Sequence, residues 1–303
     1  MKSAIVTGAT GAIGTALVSE LIQNNIEVLV LCRRESKRSS IIPTHPLVTK
    51  KYCSLAEMHC MENRENKNYD VFYHLAWEGT IGNARNDMYL QNQNIEYSLD
   101  AVGLANRFGC SLFIGVGSQA EYGRFEGVLK PETPTFPENG YGIGKLTAGF
   151  MTREYAHQLG MKHIWVRVLS VYGPNDGAQS LVMSAISKLK SGEVPALTKG
   201  EQMWDYLYSK DAANAFYRLG ESGNDGKTYV LGSGASRKLS EYIEIIRDAV
   251  DPSAELGFGM IPYSDKQVMY LCADISEISN DSGWHPKYSF EQGINEILSY
   301  CKD

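Results

Sequence analysis

The chain has 303 residues and a formal net charge of -6, a length that suits one large domain or two modest ones. Acidic and basic residues are intermixed without a basic stripe, so we expect no nucleic-acid partner. No segment approaches the roughly twenty apolar residues that span a membrane, and the first eight residues lack the length and cleavage site of a signal peptide. These features predict a soluble, cytoplasmic protein without a membrane partner.

The cysteines do not form a pattern that predicts a disulfide framework or a zinc site. They are scattered and include no Cys-x-x-Cys pair: Cys32, Cys53, Cys60, Cys110, Cys272 and Cys301. The nearest approach to a ligand cluster is Cys53, His59 and Cys60, but no second cluster accompanies it. We therefore expect no metal.

The N-terminal segment has the pattern of a dinucleotide-binding unit. Residues 4–6 predict a buried strand, residues 15–24 an amphipathic helix and residues 26–31 a second strand. In the turn between them, Gly8 permits a tight bend, Gly11 lets the backbone approach a pyrophosphate, and Gly14 lets helix and strand pack closely. The predicted cofactor contacts in this turn are Gly8, Thr10, Gly11, Ala12, Ile13 and Gly14.

The end of the second strand favours NADP over NAD. An acid at this point would bind the ribose hydroxyls, whereas arginine accommodates a 2′-phosphate. Here the strand ends at Cys32 and is followed by Arg33 and Arg34, with Lys37 and Arg38 close behind. Because an arginine can also stack on the adenine of either cofactor, NAD remains possible.

The remaining chain predicts an α/β protein with a Rossmann-type, doubly wound parallel sheet. Further strands at residues 69–76, 111–117 and 163–169 alternate with helices at 91–108 and from about 141 to 158. We assign residues 1–169 to an NAD(P)-binding domain, to which segments near 205–231 return. Residues 170–303, with helices at 181–191, 211–221, 239–250 and 290–300, form a smaller α/β region that we expect to cover the substrate.

A tyrosine and a lysine stand four residues apart just after a proline-rich loop. If the segment opens a helix, Tyr141 and Lys145 share a face, and the cation favours the phenolate. The spacing alone is common by chance, so its meaning depends on the rest of the chain. Ser118, at the end of a predicted strand, is the third residue of interest.

Together these features resemble the short-chain dehydrogenase/reductase superfamily, specifically its extended branch that acts on nucleotide-linked sugars. The resemblance runs from residue 1 to about residue 300. It rests on residues 7–14, 74–76, Asn94, 117–123, 141–145, 171–174, 205–211 and 283–286.

The resemblance implies a role for each candidate residue. Tyr141 would be the general acid/base, Lys145 would lower its pKa and bind the nicotinamide ribose, and Ser118 would hold the substrate oxygen. Leu75, Ala76 and Asn94 would serve the cofactor side, with Asn94 supporting the catalytic helix from behind. The substrate side would comprise Trp77, Ser118, Gln119, Ala120, Ser170, Trp204 and Arg237. A homodimer through helices 91–108 and 146–158 is also implied.

The residues after Ser118 narrow the reaction. Nucleotide-sugar 4,6-dehydratases carry an Asp-Glu pair where this chain has Gln119 and Ala120, so dehydration is disfavoured; Glu121 would point to the opposite side if the segment were extended. What remains is NADPH-dependent reduction of an NDP-4-keto-6-deoxyhexose, which Arg33 and Arg34 favour. The alternatives are an NDP-sugar 4-epimerase with tightly bound NAD and, more remotely, a non-catalytic NADP-binding sensor or scaffold.

The substrate's nucleotide is not predicted. Many relatives have an arginine that clamps the diphosphate where this chain has Trp204, and often an asparagine where it has Ser170. Trp204 could stack on the base or fill the core. Arg237, Lys238 and Lys266 are the candidate replacement cations.

Overall fold

The computed structural model describes residues 1–300, so Cys301 lies outside the described part of the chain. Eleven strands occur in this part. They are β1 (Ser3–Thr7), β2 (Glu27–Cys32), β3 (Val48–Tyr52), β4 (Val71–His74), β5 (Leu112–Ser118), β6 (Lys162–Val168), β7 (Ser170–Tyr172), β8 (Met203–Trp204), β9 (Tyr206–Tyr208), β10 (Thr228–Leu231) and β11 (Arg237–Lys238).

Seven of these strands form the central sheet, in the order β10-β6-β5-β4-β1-β2-β3. Every neighbouring pair in it is parallel. The order reverses beside β1, where a doubly wound sheet opens a crevice at the carboxyl ends of its strands. The predicted Rossmann-type fold is confirmed.

The burial of the strands explains which of them the sequence predicts. Central strands β1, β4 and β5 read as continuous apolar runs because helices cover both faces of the sheet. Strand β3, with sequence VTKKY, lies at the edge of the sheet and is largely exposed. It therefore lacks an apolar run, and the sequence analysis predicted no strand there.

The helices divide between the two faces of the sheet and the C-terminal region. They are α1 (Ala12–Gln23), α2 (Met88–Arg107), α3 (Gly140–Gln158), α4 (Leu181–Lys190), α5 (Ser209–Ser222), α6 (Leu239–Val250), α7 (Ser276–Ser282) and α8 (Phe290–Tyr300). Helices α1 and α5 pack together, as do α2 and α3. Helix α5 begins two residues earlier than predicted, directly after β9.

Helices α4, α6 and α8 surround an aromatic cluster in the C-terminal region. Phe290 is central to it, with ring centroids 4.7 Å from Tyr172 and 4.6 Å from Tyr242. The fully buried Asp205 ties this region together, because its carboxylate accepts hydrogen bonds from the amides of Ser233, Gly234 and Ala273. Asp205 thus has a clear structural role.

Among residues 1–300, no helix combines the length and apolar character needed to cross a bilayer. Within the same residues, His, Cys, Asp and Glu side chains do not gather in threes around a possible metal position.

Candidate active site

The glycine turn between β1 and α1 forms an open cradle. Gly8 has a φ of 69°, and a Cβ there would lie 2.8 Å from the Ala76 amide nitrogen. A Cβ at Gly14 would lie 2.2 Å from the Gly8 carbonyl oxygen, so helix and strand meet at van der Waals contact. A Cβ at Gly11, by contrast, would have its nearest neighbour, the Gly8 carbonyl oxygen, at 3.8 Å. Helix α1 starts without a side-chain cap, so the turn fits a pyrophosphate at the helix N-terminus.

A cleft of about 690 Å³ extends from this turn along the carboxyl ends of β1, β2 and β4. Five of the predicted cofactor residues in the turn and after β4 line it: Gly8, Thr10, Gly11, Leu75 and Ala76. Ala12, Ile13 and Gly14 are not part of its wall, because they lie within the first turn of α1. The cleft provides the space that a dinucleotide requires.

The three arginines after β2 have different surroundings. Arg33 lines the cleft and lies 3.8 Å from the Glu78 carboxylate. Arg38 also lines it and donates a hydrogen bond to the Asn175 carbonyl. Arg34 instead stacks on Tyr52 of β3, with its guanidinium carbon 4.9 Å from the ring centroid. Arg33 and Arg38 are thus the two arginines in the cleft wall, and a cofactor contact of Arg34 stays a prediction.

Asn94, which the resemblance places behind the catalytic helix, forms its hydrogen bonds within α2 and with the loop after β4. It is buried on α2, and its amide nitrogen donates to the carbonyls of Glu78 and Leu90 while its oxygen accepts from the Glu78 amide. These bonds fix the loop after β4. Asn94 therefore holds one wall of the cleft from behind rather than facing a cofactor.

Ser118 and Tyr141 are brought together by the start of α3. Ser118 ends β5, and Asn139 caps α3 by accepting from the Gly142 amide at 2.8 Å. A Cβ at Gly142 would lie 2.3 Å from the Ala120 carbonyl oxygen, so a glycine lets α3 approach the Ser118 loop. Burial raises the pKa of the Tyr141 phenol, and the nearby Ser118 hydroxyl opposes this rise. The helix and the shared face predicted for Tyr141 and Lys145 are both present.

The Lys145 ammonium has contacts on β5 and in the loop after β4. Its ammonium, 3% exposed, donates to the Val116 carbonyl at 2.6 Å and lies 4.0 Å from the centroid of the Trp77 ring. Burial lowers the pKa of Lys145 to about 7. The ammonium also lies 5.9 Å from the centroid of the Tyr141 ring, and a lowering of the Tyr141 pKa by Lys145 stays a prediction.

Two further residues surround the tyrosine. Trp77, predicted to contact substrate, lines the cofactor cleft and meets Tyr141 edge-on with centroids 6.2 Å apart. Its indole nitrogen donates to Gln91 at 2.8 Å. Arg85, which the sequence analysis did not single out, places its guanidinium carbon 4.3 Å from the Tyr141 ring centroid. Arg85 lies in a short 3-10 helix, Gly82–Asn86, whose sequence has no apolar period that would have drawn attention to it.

Residues 119–121 form a 3-10 turn rather than an extended segment. Glu121 consequently turns inward and is fully buried, with its carboxylate 2.7 Å from the Arg167 guanidinium. It also accepts from the Ser118 amide at 2.8 Å and from the Trp165 indole at 3.1 Å. The expected position of Glu121, on the side opposite Gln119 and Ala120, assumed an extended segment, and the observed turn removes that assumption. The Glu121 carboxylate instead supports the Ser118 loop. Gln119 and Ala120 lie in the same turn.

A second cavity of about 510 Å³ lies in the C-terminal region. Ser170 and Trp204 line it, and the Trp204 indole nitrogen donates to the Ser170 hydroxyl at 2.8 Å. Its wall includes Asp176, whose pKa is raised by burial, but no lysine or arginine. Arg237 instead pairs with Glu291 at 2.8 Å. Arg237, Lys238 and Lys266 are outside the wall, although Arg237 of β11 lies opposite Trp204 of β8, and a contact of Arg237 with substrate stays a prediction.

A doubly wound sheet whose carboxyl edge carries a glycine turn, a serine and a Tyr-x-x-x-Lys helix defines the extended class of short-chain dehydrogenase/reductase proteins. The chain belongs to the NAD dependent epimerase/dehydratase family, whose model matches residues 4–232. This is a family of enzymes, and its nucleotide-sugar members are those that the sequence resembles.

Individual relatives are distant but extend over the whole chain. CDP-abequose synthase of Salmonella typhimurium is 24% identical over 304 residues, which cover 97% of this chain and 96% of that protein. The structure of a UDP-N-acetylglucosamine 4-epimerase from Methanobrevibacter ruminantium M1, in complex with UDP-N-acetylmuramic acid, has a TM-score of 0.89 and 23% identity, covering 99% of this chain and 98% of that chain. RMD from Pseudomonas aeruginosa, complexed with NADPH, has a TM-score of 0.80 and 21% identity, with coverage of 99% and 98%. At these identities the two structures establish likeness of fold.

Proposed function

We propose that the chain is an NADPH-dependent reductase that acts at C4 of a 4-keto-6-deoxyhexose linked to a nucleoside diphosphate. The proposal rests mainly on the residues that surround Ser118 and Tyr141. The two positions after Ser118 are Gln119 and Ala120, and the nearby carboxylate of Glu121 is bound to Arg167. The site therefore offers a proton donor beside a carbonyl but no acid and base for the removal of water.

The cofactor part of the proposal rests on the cleft. The glycine turn would hold the pyrophosphate, while Arg33 and Arg38 in the cleft wall would bind the 2′-phosphate of NADP. One neighbour was solved with NADPH and others with NAD, so the comparisons support a nicotinamide dinucleotide and the choice of NADP rests on the arginines. Lys145, buried beside Trp77, would bond the nicotinamide ribose.

Each catalytic side chain then has one task. Bound NADPH supplies a hydride to C4 of the sugar. The Tyr141 hydroxyl donates its proton to the oxygen on C4, which becomes a hydroxyl group, and the tyrosine is left as a phenolate. Ser118 donates a hydrogen bond to the same oxygen and holds it in reach of the tyrosine. Because Ser118 is anchored through its amide to Glu121, this donor is positioned before substrate binds.

The second cavity is the proposed site for the nucleotide. Helix α4 begins at its wall, where Ser180 and Leu181 line the cavity, so the positive end of the helix dipole is available to a diphosphate. This would compensate for the lack of lysine and arginine in the wall. A relative named for a CDP-linked sugar supports a nucleotide-sugar substrate.

We also propose a homodimer through the exposed faces of α2 and α3. A groove of about 580 Å³ lies between these helices, and Leu99, Phe150, Met151 and Tyr155 contribute to its lining. Phe150 is 49% exposed and Met151 is 44% exposed, which leaves an apolar surface that a second copy of the same helix pair would cover.

The test is NADPH oxidation with TDP-, CDP-, UDP- and GDP-linked 4-keto-6-deoxyhexoses in turn. We expect turnover with one of them and loss of that turnover in Tyr141→Phe. NADPH binding without turnover on any of the four would contradict a reductase and favour the non-catalytic sensor.

A 4-epimerase is the second candidate, favoured by the TM-score of 0.89 with an epimerase. An epimerase oxidises C4 and reduces it again, so it consumes no net cofactor. Incubation with UDP-, TDP- and CDP-hexoses, followed by NMR, would reveal inversion at C4. Inversion without added NADPH would replace the reductase proposal with this one.

A further inference from the structure

Arg85 covers one face of the catalytic tyrosine. Its guanidinium carbon lies 4.3 Å from the centroid of the Tyr141 ring, within the range of a cation–π contact. The side chain is half-buried. Arg85 belongs to neither the glycine turn nor the Tyr-x-x-x-Lys motif, so its contact with Tyr141 is a separate feature of the site.

The segment that carries Arg85 is fixed to the start of the catalytic helix. One guanidinium nitrogen of Arg85 donates to the Thr80 carbonyl at 2.9 Å. The next residue, Asn86, accepts a hydrogen bond from the Gly140 amide at 3.1 Å, and a Cβ at Gly140 would lie 3.0 Å from the Arg85 carbonyl oxygen. Arg85 and the first turn of α3 therefore form one packed unit, which holds the cation against Tyr141.

Other groups near Tyr141 do not supply the same charge. Lys145 is farther from the ring centroid, at 5.9 Å, and its ammonium donates to Val116. Burial brings the pKa of Lys145 to about 7, so much of its charge is lost above neutral pH. Ser118 is neutral, and the carboxylate of Glu121, which opposes ionisation of the tyrosine, is paired with Arg167. Guanidinium groups, in contrast, are always charged in proteins.

We propose that Arg85 is a positioning residue of the reaction, which orients the Tyr141 ring and stabilises the phenolate that remains after the tyrosine gives up its proton. Its effect on catalysis rests on the proposed role of Tyr141, whereas its effect on the ionisation of Tyr141 does not. The charge of Arg85 lowers the pKa of Tyr141, in the direction opposite to that of burial.

The first experiment follows the ionisation of Tyr141 directly, with or without a known substrate. Protein labelled with ¹³Cζ-tyrosine is titrated by NMR between about pH 7 and 11, around the ordinary tyrosine pKa, and the Tyr141 signal is assigned by its loss in Tyr141→Phe. The variants are Arg85→Met and Arg85→Gln, which remove the charge, and Arg85→Lys, which keeps it. Arg218→Met, at an exposed position on α5, is the matched control.

We expect Tyr141 to titrate at higher pH in Arg85→Met and Arg85→Gln than in the wild type and in Arg218→Met. Arg85→Lys should lie nearer to the wild type. An unchanged titration in the charge-removing variants, or no titration of Tyr141 in the wild type, would overturn the proposal. If Arg85→Met does not fold, as judged by circular dichroism, the comparison of Arg85→Gln with Arg85→Lys decides.

The second experiment uses NADPH oxidation with the active substrate. In Arg85→Met we expect kcat/KM to fall by about tenfold and the decline of activity at alkaline pH to move to higher pH. A residue with a purely structural role would lower the rate without moving that decline. If the NMR titration shifts but no nucleotide sugar is turned over, the proposal for Arg85 stands and the reductase proposal fails.

Discussion

The buried ion pair between Glu121 and Arg167 gives the sharpest stability prediction. Their side chains are 0% and 6% exposed, and the carboxylate is 2.7 Å from the guanidinium. Glu121→Gln keeps the shape and an acceptor for the Ser118 amide but removes the charge. Arg167 then remains buried without a counter-charge, and breaking such a pair costs about 3–5 kcal/mol. We expect Glu121→Gln to lower the free energy of unfolding by that amount, a large fraction of the roughly 5–15 kcal/mol typical of a folded protein.

Urea unfolding of four proteins measures this effect. They are the wild type, Glu121→Gln, Arg167→Met and the double variant, and together they form a double-mutant cycle. The double variant should regain part of the lost stability, because it leaves no buried unpaired charge. Glu154→Gln, which removes the exposed partner of Arg153, is the control and should change the free energy of unfolding by less than about 1 kcal/mol. A Glu121→Gln variant as stable as this control would refute the reasoning, as would additive losses in the double variant.

Three further predictions concern the cofactor, Lys145 and assembly. Arg33→Ala and Arg38→Ala should each weaken NADPH binding while leaving NADH binding unchanged, as measured by fluorescence titration; equal losses for both cofactors would argue against a 2′-phosphate site. Burial lowers the pKa of Lys145 from 10.5 to about 7, so its charge destabilises the fold fully below pH 7 and progressively less up to about pH 10.5. Lys145→Met should therefore stabilise the protein in thermal unfolding, most at neutral pH and below, and a gain that grew with rising pH would contradict this sign. Phe150→Glu should convert a dimer to monomers in sedimentation experiments, and a wild-type protein that is already monomeric would exclude the proposed interface.

The sequence predicts the fold well where burial imposes a pattern. Strands β1, β2 and β5 are covered on both faces, so their apolar runs are visible without a structure. Strand β3 escapes detection because an edge strand can be exposed and rich in lysine. The helix at Tyr141 was expected from the proline-rich loop before it, whereas its cap by Asn139 was recognised only in the structure.

The site was predictable as a set of residues but not as a set of contacts. Ser118 and Tyr141 adjoin as expected, but the direction of the Lys145 side chain depends on the Val116 carbonyl and on Trp77, which spacing does not reveal. Arg85 approaches Tyr141 only through the folding of a short 3-10 segment. The direction of the Arg237 side chain likewise depends on its ion pair with Glu291, which is far away in the sequence.

The central claim is that Tyr141 transfers a proton in a net reduction at C4. The most direct measurement is NADPH oxidation by the wild type and by Tyr141→Phe, with the sugar product identified by NMR. We expect one NADP⁺ for each C4 hydroxyl formed, and a loss of about 10²- to 10⁴-fold in kcat for the variant, whose NADPH affinity should be unchanged. Equal rates in the two proteins, or C4 inversion without consumption of NADPH, would contradict it.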